Sequence, residues 1–306
     1  MTDMDNKVQK IRYLYGASTQ PEFLNFVRTQ CVNISEDDLP ELLEKWRIAT
    51  KKFFENALKG DFLPEGVTVE DIPQEFKQKL EEIEKDSLFR KSFSNLPYSF
   101  QIVDIKRIVA AQRYVNTDYT DALVEELRKG KDMNSLLDFS LKSGSFNPIP
   151  SELQLSPNVY SYKSASTDFR FLGGYPKKLT EDDYKYAING GMPISAVILF
   201  VGYGSPAINV FQIGKRLILN NGFHRLYALL KAGIHKAPMV VQHIANWNLE
   251  LPPNLIGLPT QYLVTEKRPS MMEDFMDPEL TTELMMKARD KSVQIQWAFN
   301  QFDIPR

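Results

Sequence analysis

The chain has almost no cysteine: Cys31 stands alone among 306 residues. No intrachain disulfide can form, and neither a Cys-x-x-Cys pair nor a Cys/His zinc spacing is available. Histidine is nearly as scarce. His224, His235 and His243 are scattered over strand-like and loop-like positions, so a histidine-rich metal site is not expected and the protein alone is expected to hold no metal. An excess of positive charge is missing as well. The 37 Lys and Arg residues are outweighed by 39 Asp and Glu, for a net charge of -2, and the general field that draws proteins to a nucleic-acid backbone is absent. No apolar run approaches the ~20 residues of a membrane helix, and the polar, acidic start Met1-Thr2-Asp3-Met4-Asp5 lacks the charged and apolar regions of a signal peptide. The expectation is a cytoplasmic protein with no membrane partner, and with DNA disfavoured as a ligand.

What is present is ordinary globular material, 43% hydrophobic and 25% charged, enough for one large or two modest cores. Residues 1–97 read as a helical N-terminal region. Ser35 before Glu36, Asp37 and Asp38 is an N-cap with first-turn acids. Leu39, Leu42, Leu43, Trp46, Ala49, Phe53, Phe54 and Ala57 then recur at helical spacing, with Gly60 and Pro64 as the stop. A second amphipathic stretch runs from Pro73 through Phe76, Leu80 and Ile83.

The pattern changes near Leu96-Pro97. Tyr98 to Ile105 alternates as a strand does, and Asp118 to Arg128 returns to helical spacing. The Ser-, Pro-, Gly- and Tyr-rich stretch from Ser143 to Tyr175 reads as a loop too long to be an idle connection. Within it and just after, Asp168, Arg170 and Lys177 surround the Gly173-Gly174 pair among aromatic residues, a composition that suits a substrate or nucleotide clamp. The same charges could equally pair with one another to anchor the loop. Thr180 to Asn189 reads as a short capped helix, and Pro193 to Val201 as a buried strand.

Val210 to Ile213, Gly214-Lys215-Arg216 and Leu217 to Leu219 read as a hairpin. After the turn Asn220-Asn221-Gly222, His224 to Ala232 is helical, Gly233 caps it, and Ala237 to His243 is a strand. The glycine turn therefore falls where a strand ends and a helix begins. There a residue without a Cβ lets backbone amides approach an anion, and the helix dipole favours phosphate. His224 and Arg225 would add side-chain donors. The alternative is a tight turn whose arginine serves the fold. Beyond Trp247, Pro278 to about Phe302 reads as a helix, with Leu284, Met285, Ala288, Ile295 and Phe299 as packing residues.

The run Leu217-Ile218-Leu219-Asn220-Asn221-Gly222-Phe223-His224-Arg225-Leu226, continuing through Gly233 and Pro238-Met239-Val240-Val241, resembles the strand, Gly-x-His-Arg turn, helix and Pro-Val-Val strand of the ParB/sulfiredoxin superfamily. Pro193-Ile194-Ser195-Ala196-Val197 is similar to the family's Pro-Ile-x-Val strand. Val103 to Ile108 with Gln112-Arg113 is similar to its opening strand and Gln/Arg motif. The resemblance covers roughly half the chain. It implies an α+β fold: a mixed-sheet domain at 98–246 with a long inserted loop at 143–179, flanked by the helical region 1–97 and a C-terminal extension 247–306 ending in a helix.

The resemblance also implies a nucleotide site at Gly222, Phe223, His224 and Arg225, with Gln112 and Arg113 contributing, for ATP or another nucleotide and its Mg2+. Sulfiredoxin chemistry needs a cysteine where Phe223 stands, so that repair reaction is excluded. The helix-turn-helix of the partition proteins is missing, and a nuclease or DNA-binding partition role is disfavoured. Relatives that phosphorylate free serine make an ATP-dependent phosphotransferase on a small hydroxyl-bearing metabolite the leading expectation. Asp118 or Asp121 is then the candidate base beside His224, although either could instead be a helix cap. The alternative is a noncatalytic nucleotide-gated or protein-interaction module, with the helical flanks contacting a protein partner.

Overall fold

The first element of the computed structural model, which describes residues 7–59, 64, 69–141, 149–166, 169–186 and 193–304, is strand β1 (Val8–Leu14) and not a helix. Its sequence explains this. Ile11 and Tyr13 are buried while Lys10 and Arg12 between them reach Glu283, a period of two that a helix cannot use. Helices α1 (Gln20–Gln30) and α2 (Leu39–Lys59) follow. Ser35 and Asp38 form the reciprocal cap ahead of α2, with the Ser35 amide and hydroxyl each 2.7 Å from Asp38 Oδ2. Ala49 and Phe53 turn inward along α2, whereas Phe54, expected on the apolar face, points to solvent. Gly60 lies outside the described residues.

Next come β2 (Val69–Asp71), α3 (Lys77–Lys85), α4 (Ser87–Ser92), β3 (Tyr98–Asp104), β4 (Tyr114–Asn116), α5 (Thr117–Leu127) and α6 (Met133–Ser140). The stretch expected as an irregular loop carries β5 (Ser151–Ser156), β6 (Val159–Ser164) and β7 (Phe169–Lys178) instead, and β8 (Ser195–Tyr203) follows. The remaining elements are β9 (Asn209–Ile213), β10 (Arg216–Asn221), α7 (Phe223–Lys231), β11 (Lys236–His243), α8 (Trp247–Glu250), β12 (Asn254–Leu255), β13 (Leu258–Pro259), α9 (Thr260–Thr265), β14 (Thr281–Lys287) and β15 (Lys291–Gln296). The protein is thus mixed α and β, built on several small sheets. No helix among the described residues is long and apolar enough to cross a membrane.

The expected C-terminal helix does not form. Thr281, Leu284 and Met286 of β14 are buried while Glu283, Met285 and Lys287 are exposed, and in β15 Val293 and Ile295 alternate with exposed polar residues. Strand β14 pairs antiparallel with β1 from Val8↔Lys287 to Leu14↔Thr281. Long-range pairing with the N-terminal strand therefore overrides the helix-forming tendency of Leu, Met and Glu.

The chain divides into two compact units. The first, residues 1–144 and 206–288, contains the sheet β14-β1-β4 and the sheet β10-β9-β11-β3-β2. In the larger sheet β11 runs parallel to β9 and antiparallel to β3. The anticipated hairpin β9–β10 turns at Gly214, whose φ of 59° suits a residue without a Cβ. Helix α7 joins β10 to β11 and sinks Phe223, Leu226, Tyr227, Leu229 and Leu230 into a core shared with Val210, Ile218 and Val241. Each such side chain contributes about 1.5–3 kcal/mol.

Two polar details of this unit bear on its stability and chemistry. Arg268 and Asp274 form a two-pronged ion pair at 2.6 and 2.7 Å, with both side chains almost wholly buried and the guanidinium 4.7 Å above the Phe53 ring. Cys31 bridges to Met286 beside β14, and burial pushes its thiol up to about 11. At neutral pH it is not a thiolate nucleophile.

The second unit, residues 145–205 and 289–306, contains the sheet β15-β6-β5 and the two-stranded ribbon β7–β8. The strand expected at Pro193 to Val201 does form, as β8, but it is not buried: Val197, Leu199 and Phe200 are exposed. The expected helix after Thr180 is a 3-10 turn, Glu181–Tyr186.

Candidate functional site

Strand β10 ends in a register irregularity between Leu219 and Asn221, and Gly222 follows with φ 96° and ψ 21°. Only glycine takes this left-handed conformation without strain. It is needed for a second reason. A Cβ on Gly222 would fall 2.7 Å from the Ile208 side chain and 3.1 Å from the Ile208 Cα, so the close approach that this glycine permits is to the chain's own backbone. Asn221 Oδ1 accepts the Gly222 amide at 2.8 Å, and the Gly222 carbonyl accepts Leu226 N–H at 2.9 Å.

A helix begun this way has no side chain at its N-cap. The amides of Phe223 and His224 accordingly find no acceptor among the described residues, and they lie at the positive end of the helix dipole. Phe223 itself is buried, its ring edge-on to Phe275 at 5.1 Å. The side chain that replaces a nucleophile in the resemblance is thus part of the core.

His224 is half-buried, with its ring edge-on to Tyr119 of α5 at 5.4 Å. Neither ring nitrogen has a hydrogen-bond partner among the described residues. Burial, and after it the charge of Arg225, holds the imidazole down at about 4. At neutral pH it is uncharged, one nitrogen a donor and the other an acceptor.

Arg225 does not point where the sequence places it. Its Nη1 donates to the carbonyls of Phe139 and Ser140, both at 3.2 Å, and its Nη2 donates to the carbonyl of Pro206. The residue is 9% exposed. A guanidinium engaged by three backbone carbonyls is not poised to fork a phosphate, and it instead fastens α7 to the end of α6 and to the segment entering β9. Its charge still acts on the neighbouring imidazole.

The other candidates are drawn to different places. Arg113 Nη2 pairs with Glu22 of α1 at 2.7 Å, and the Arg113 carbonyl takes the Leu14 amide. Gln112 is half-buried, and no hydrogen bond joins it to α7 among the described residues. Asp118 Oδ2 accepts the Lys10 amide of β1 at 2.8 Å, and Asp121 pairs with Lys231 of α7 at 2.6 Å. Neither caps α5, because Asn116 does so by accepting the Tyr119 amide at 3.0 Å. The two acids expected to offer a base are therefore both occupied in tying elements together.

Asp168 lies outside the described residues. Arg170 and Lys177 sit on β7 of the second unit and not on a loop. Arg170 stands opposite Gly202, and its guanidinium occupies the space that a Cβ on Gly204 would take. Lys177 pairs with Asp183 at 2.7 Å, and Asp183 also accepts the amide and the hydroxyl of Thr180. Lys177 first, and then the Thr180 amide, holds the Asp183 carboxyl down at about 2. Its contribution to the turn is present above the unfolded carboxyl value near 3.8 and is lost as the pH falls through about 2. A carbon-detected titration of Asp183 should show that midpoint, and Lys177→Met should move it up toward the ordinary aspartate range; an unmoved midpoint would mean that the lysine is not its main partner.

Three residues of the α7 opening carry little signal in sequence. Asn221 was readable as part of a turn but not as the acceptor for Gly222. Tyr119 is an exposed helix residue with no distinguishing neighbours, and Ile208 belongs to no motif; only the fold brings them to α7. A surface concavity of about 340 Å3 lies elsewhere in the same unit, beside Tyr15, Lys45 and Pro278. Compared with family models, curated proteins and solved structures, the chain matches none.

Proposed function

We propose that this chain binds the phosphate groups of a nucleotide, ATP or a close relative, at the opening of α7, as a protein of ParB/sulfiredoxin type. One observation carries the reading: two amides and a neutral imidazole, none with a hydrogen-bond partner among the described residues, stand together where α7 begins on a left-handed glycine. The aligned amides present roughly half a unit of positive charge. The imidazole adds one donor, and the buried Arg225 charge lies behind it, lending field without spending hydrogen bonds. The Gly-x-His-Arg run lies on β10, α7 and β11 and the opening motif begins on β3, in the order the resemblance implies, whereas Pro193 to Val197 runs into β8 of the second unit and Gln112-Arg113 stands just before β4.

Magnesium would arrive with the nucleotide and be held by its phosphates. Of the two readings of such a site, the noncatalytic nucleotide-gated one has the better support. A phosphotransferase needs a carboxylate able to take a proton from a substrate hydroxyl, and Asp118 and Asp121 are both engaged elsewhere.

The test is calorimetry with ATP, ADP and CTP in the presence of magnesium. Binding of at least one nucleotide is expected, and His224→Ala should weaken it about tenfold, the value of one hydrogen bond to a charged group. No binding by the folded wild type to any of the three would remove the proposal. Nucleotide turnover with a hydroxyl-bearing acceptor would restore the phosphotransferase reading and set the sensor reading aside.

A further inference from the structure

Neither of the usual uses of a tyrosine accounts for Tyr119, at the opening of α5. A ring placed for packing is buried, yet Tyr119 is 51% exposed. A ring placed for its hydroxyl donates or accepts, yet this hydroxyl makes no hydrogen bond among the described residues. What the side chain does meet is His224, ring to ring at 5.4 Å and 77°. The imidazole thus has two aromatic neighbours, the buried Phe223 at 6.3 Å and the exposed Tyr119. The backbone that carries Tyr119 is firmly held. Asn116 Oδ1 accepts its amide at 3.0 Å, the Thr117 hydroxyl donates to the Lys10 carbonyl at 3.1 Å, and Asp118 Oδ2 accepts the Lys10 amide at 2.8 Å. Thr117 and Thr120 on either side are buried. An exposed ring on so fixed a turn loses little freedom when something comes to lie on it.

We infer, resting on the phosphate site proposed above, that Tyr119 is the platform on which the base of the bound nucleotide stacks, and that the ligand is a purine nucleotide in preference to a pyrimidine one. The contact with His224 sets the ring beside the group that would donate to a phosphate. A nucleoside attached to that phosphate comes within reach of the ring, whereas free phosphate has nothing to lay on it. Stacking works through ring area, and the two fused rings of a purine cover more of a tyrosine than the single ring of a pyrimidine. It reads the face of a base and not its edge, so adenine and guanine are served alike. A single nucleotide fits better than a strand. With a net charge of -2 the chain lacks the field that holds a polynucleotide backbone.

Calorimetry on the full chain with magnesium and ATP, GTP, CTP or inorganic tripolyphosphate tests this. ATP and GTP should bind with similar affinity, CTP several-fold more weakly, and tripolyphosphate more weakly still. Tyr119→Leu keeps apolar bulk against His224 but has no ring face. It should weaken ATP about tenfold, leave tripolyphosphate unchanged and, at so exposed a position, leave the circular dichroism unchanged too. Tyr119→Phe should bind ATP as the wild type does, because the hydroxyl is not used. Three results would each overturn the inference while leaving the phosphate site in place. They are an ATP affinity unmoved in Tyr119→Leu, CTP bound as tightly as ATP, and an equal loss for ATP and tripolyphosphate, which would make Tyr119 a support for His224 alone. Failure of the phosphate site looks different: the folded wild type would bind neither ATP nor tripolyphosphate, and both readings would fall together.

Discussion

Arg225→Ala is expected to destabilise the first unit by about 2–6 kcal/mol, a loss larger than the removal of a surface ligand contact would produce. The guanidinium is buried and serves the carbonyls of Phe139, Ser140 and Pro206. Removing it takes the guanidinium from the Phe139 and Pro206 carbonyls, at about 1–3 kcal/mol each, while the Ser140 carbonyl keeps the Ile208 amide at 2.8 Å. Against a total stability of roughly 5–15 kcal/mol, the variant should lose most of its folded population or melt many degrees lower in a thermal scan. Arg225→Lys should recover only part, because one ammonium cannot span a site built for a planar fork. His224→Ala provides the contrast. Its ring nitrogens have no partners to lose among the described residues, so its unfolding midpoint should move by no more than about 1 kcal/mol while nucleotide binding weakens. If Arg225→Ala unfolded at the wild-type midpoint, the three hydrogen bonds would be worth little and Arg225 would return as a candidate ligand.

This contrast also shows what was legible beforehand. The left-handed glycine, the helix after it and the hairpin before it are local features, written in Asn221-Gly222, in the spacing of Leu226, Leu229 and Leu230, and in Gly214. The destination of an arginine is not local. The carbonyls that hold Arg225 come from residues 19 to 86 positions away, and no motif announces them. The ends of the chain failed for a related reason. Period two was readable in Ile11 and Tyr13 and in Leu284 and Met286, but the rich supply of Leu, Met, Lys and Glu suggested helices, and only the pairing of β1 with β14, more than 260 residues apart, decides between the two periods. Strand β8 shows the converse: its apolar run correctly implied a strand, yet the burial expected of such a run does not follow, and Val197, Leu199 and Phe200 are exposed.

Asp274→Asn should cost about 3–5 kcal/mol, as should Arg268→Met, because each leaves the opposite partner of a buried pair without its counter-charge. Both side chains are at most 3% exposed. Asp274 also accepts the Met271 amide at 2.8 Å, which locks the turn that carries Phe275 against Phe223 and Tyr227 of α7. Replacing both partners with apolar residues, Arg268→Met with Asp274→Leu, should cost less than either single change, since no charge is then left stranded. Burial pushes the Asp274 carboxyl above its ordinary value, and the hydrogen bond and charge of Arg268 only partly oppose that push. Acid unfolding should begin at depressed carboxylates such as Glu22, where the hydrogen bonds of Thr19 and the charge of Arg113 outweigh burial. Denaturant titrations of the two singles and the double, each at neutral and acid pH, would measure the coupling. A double variant less stable than both singles would show the pair to be a net source of stability and would reverse this account of its energetics.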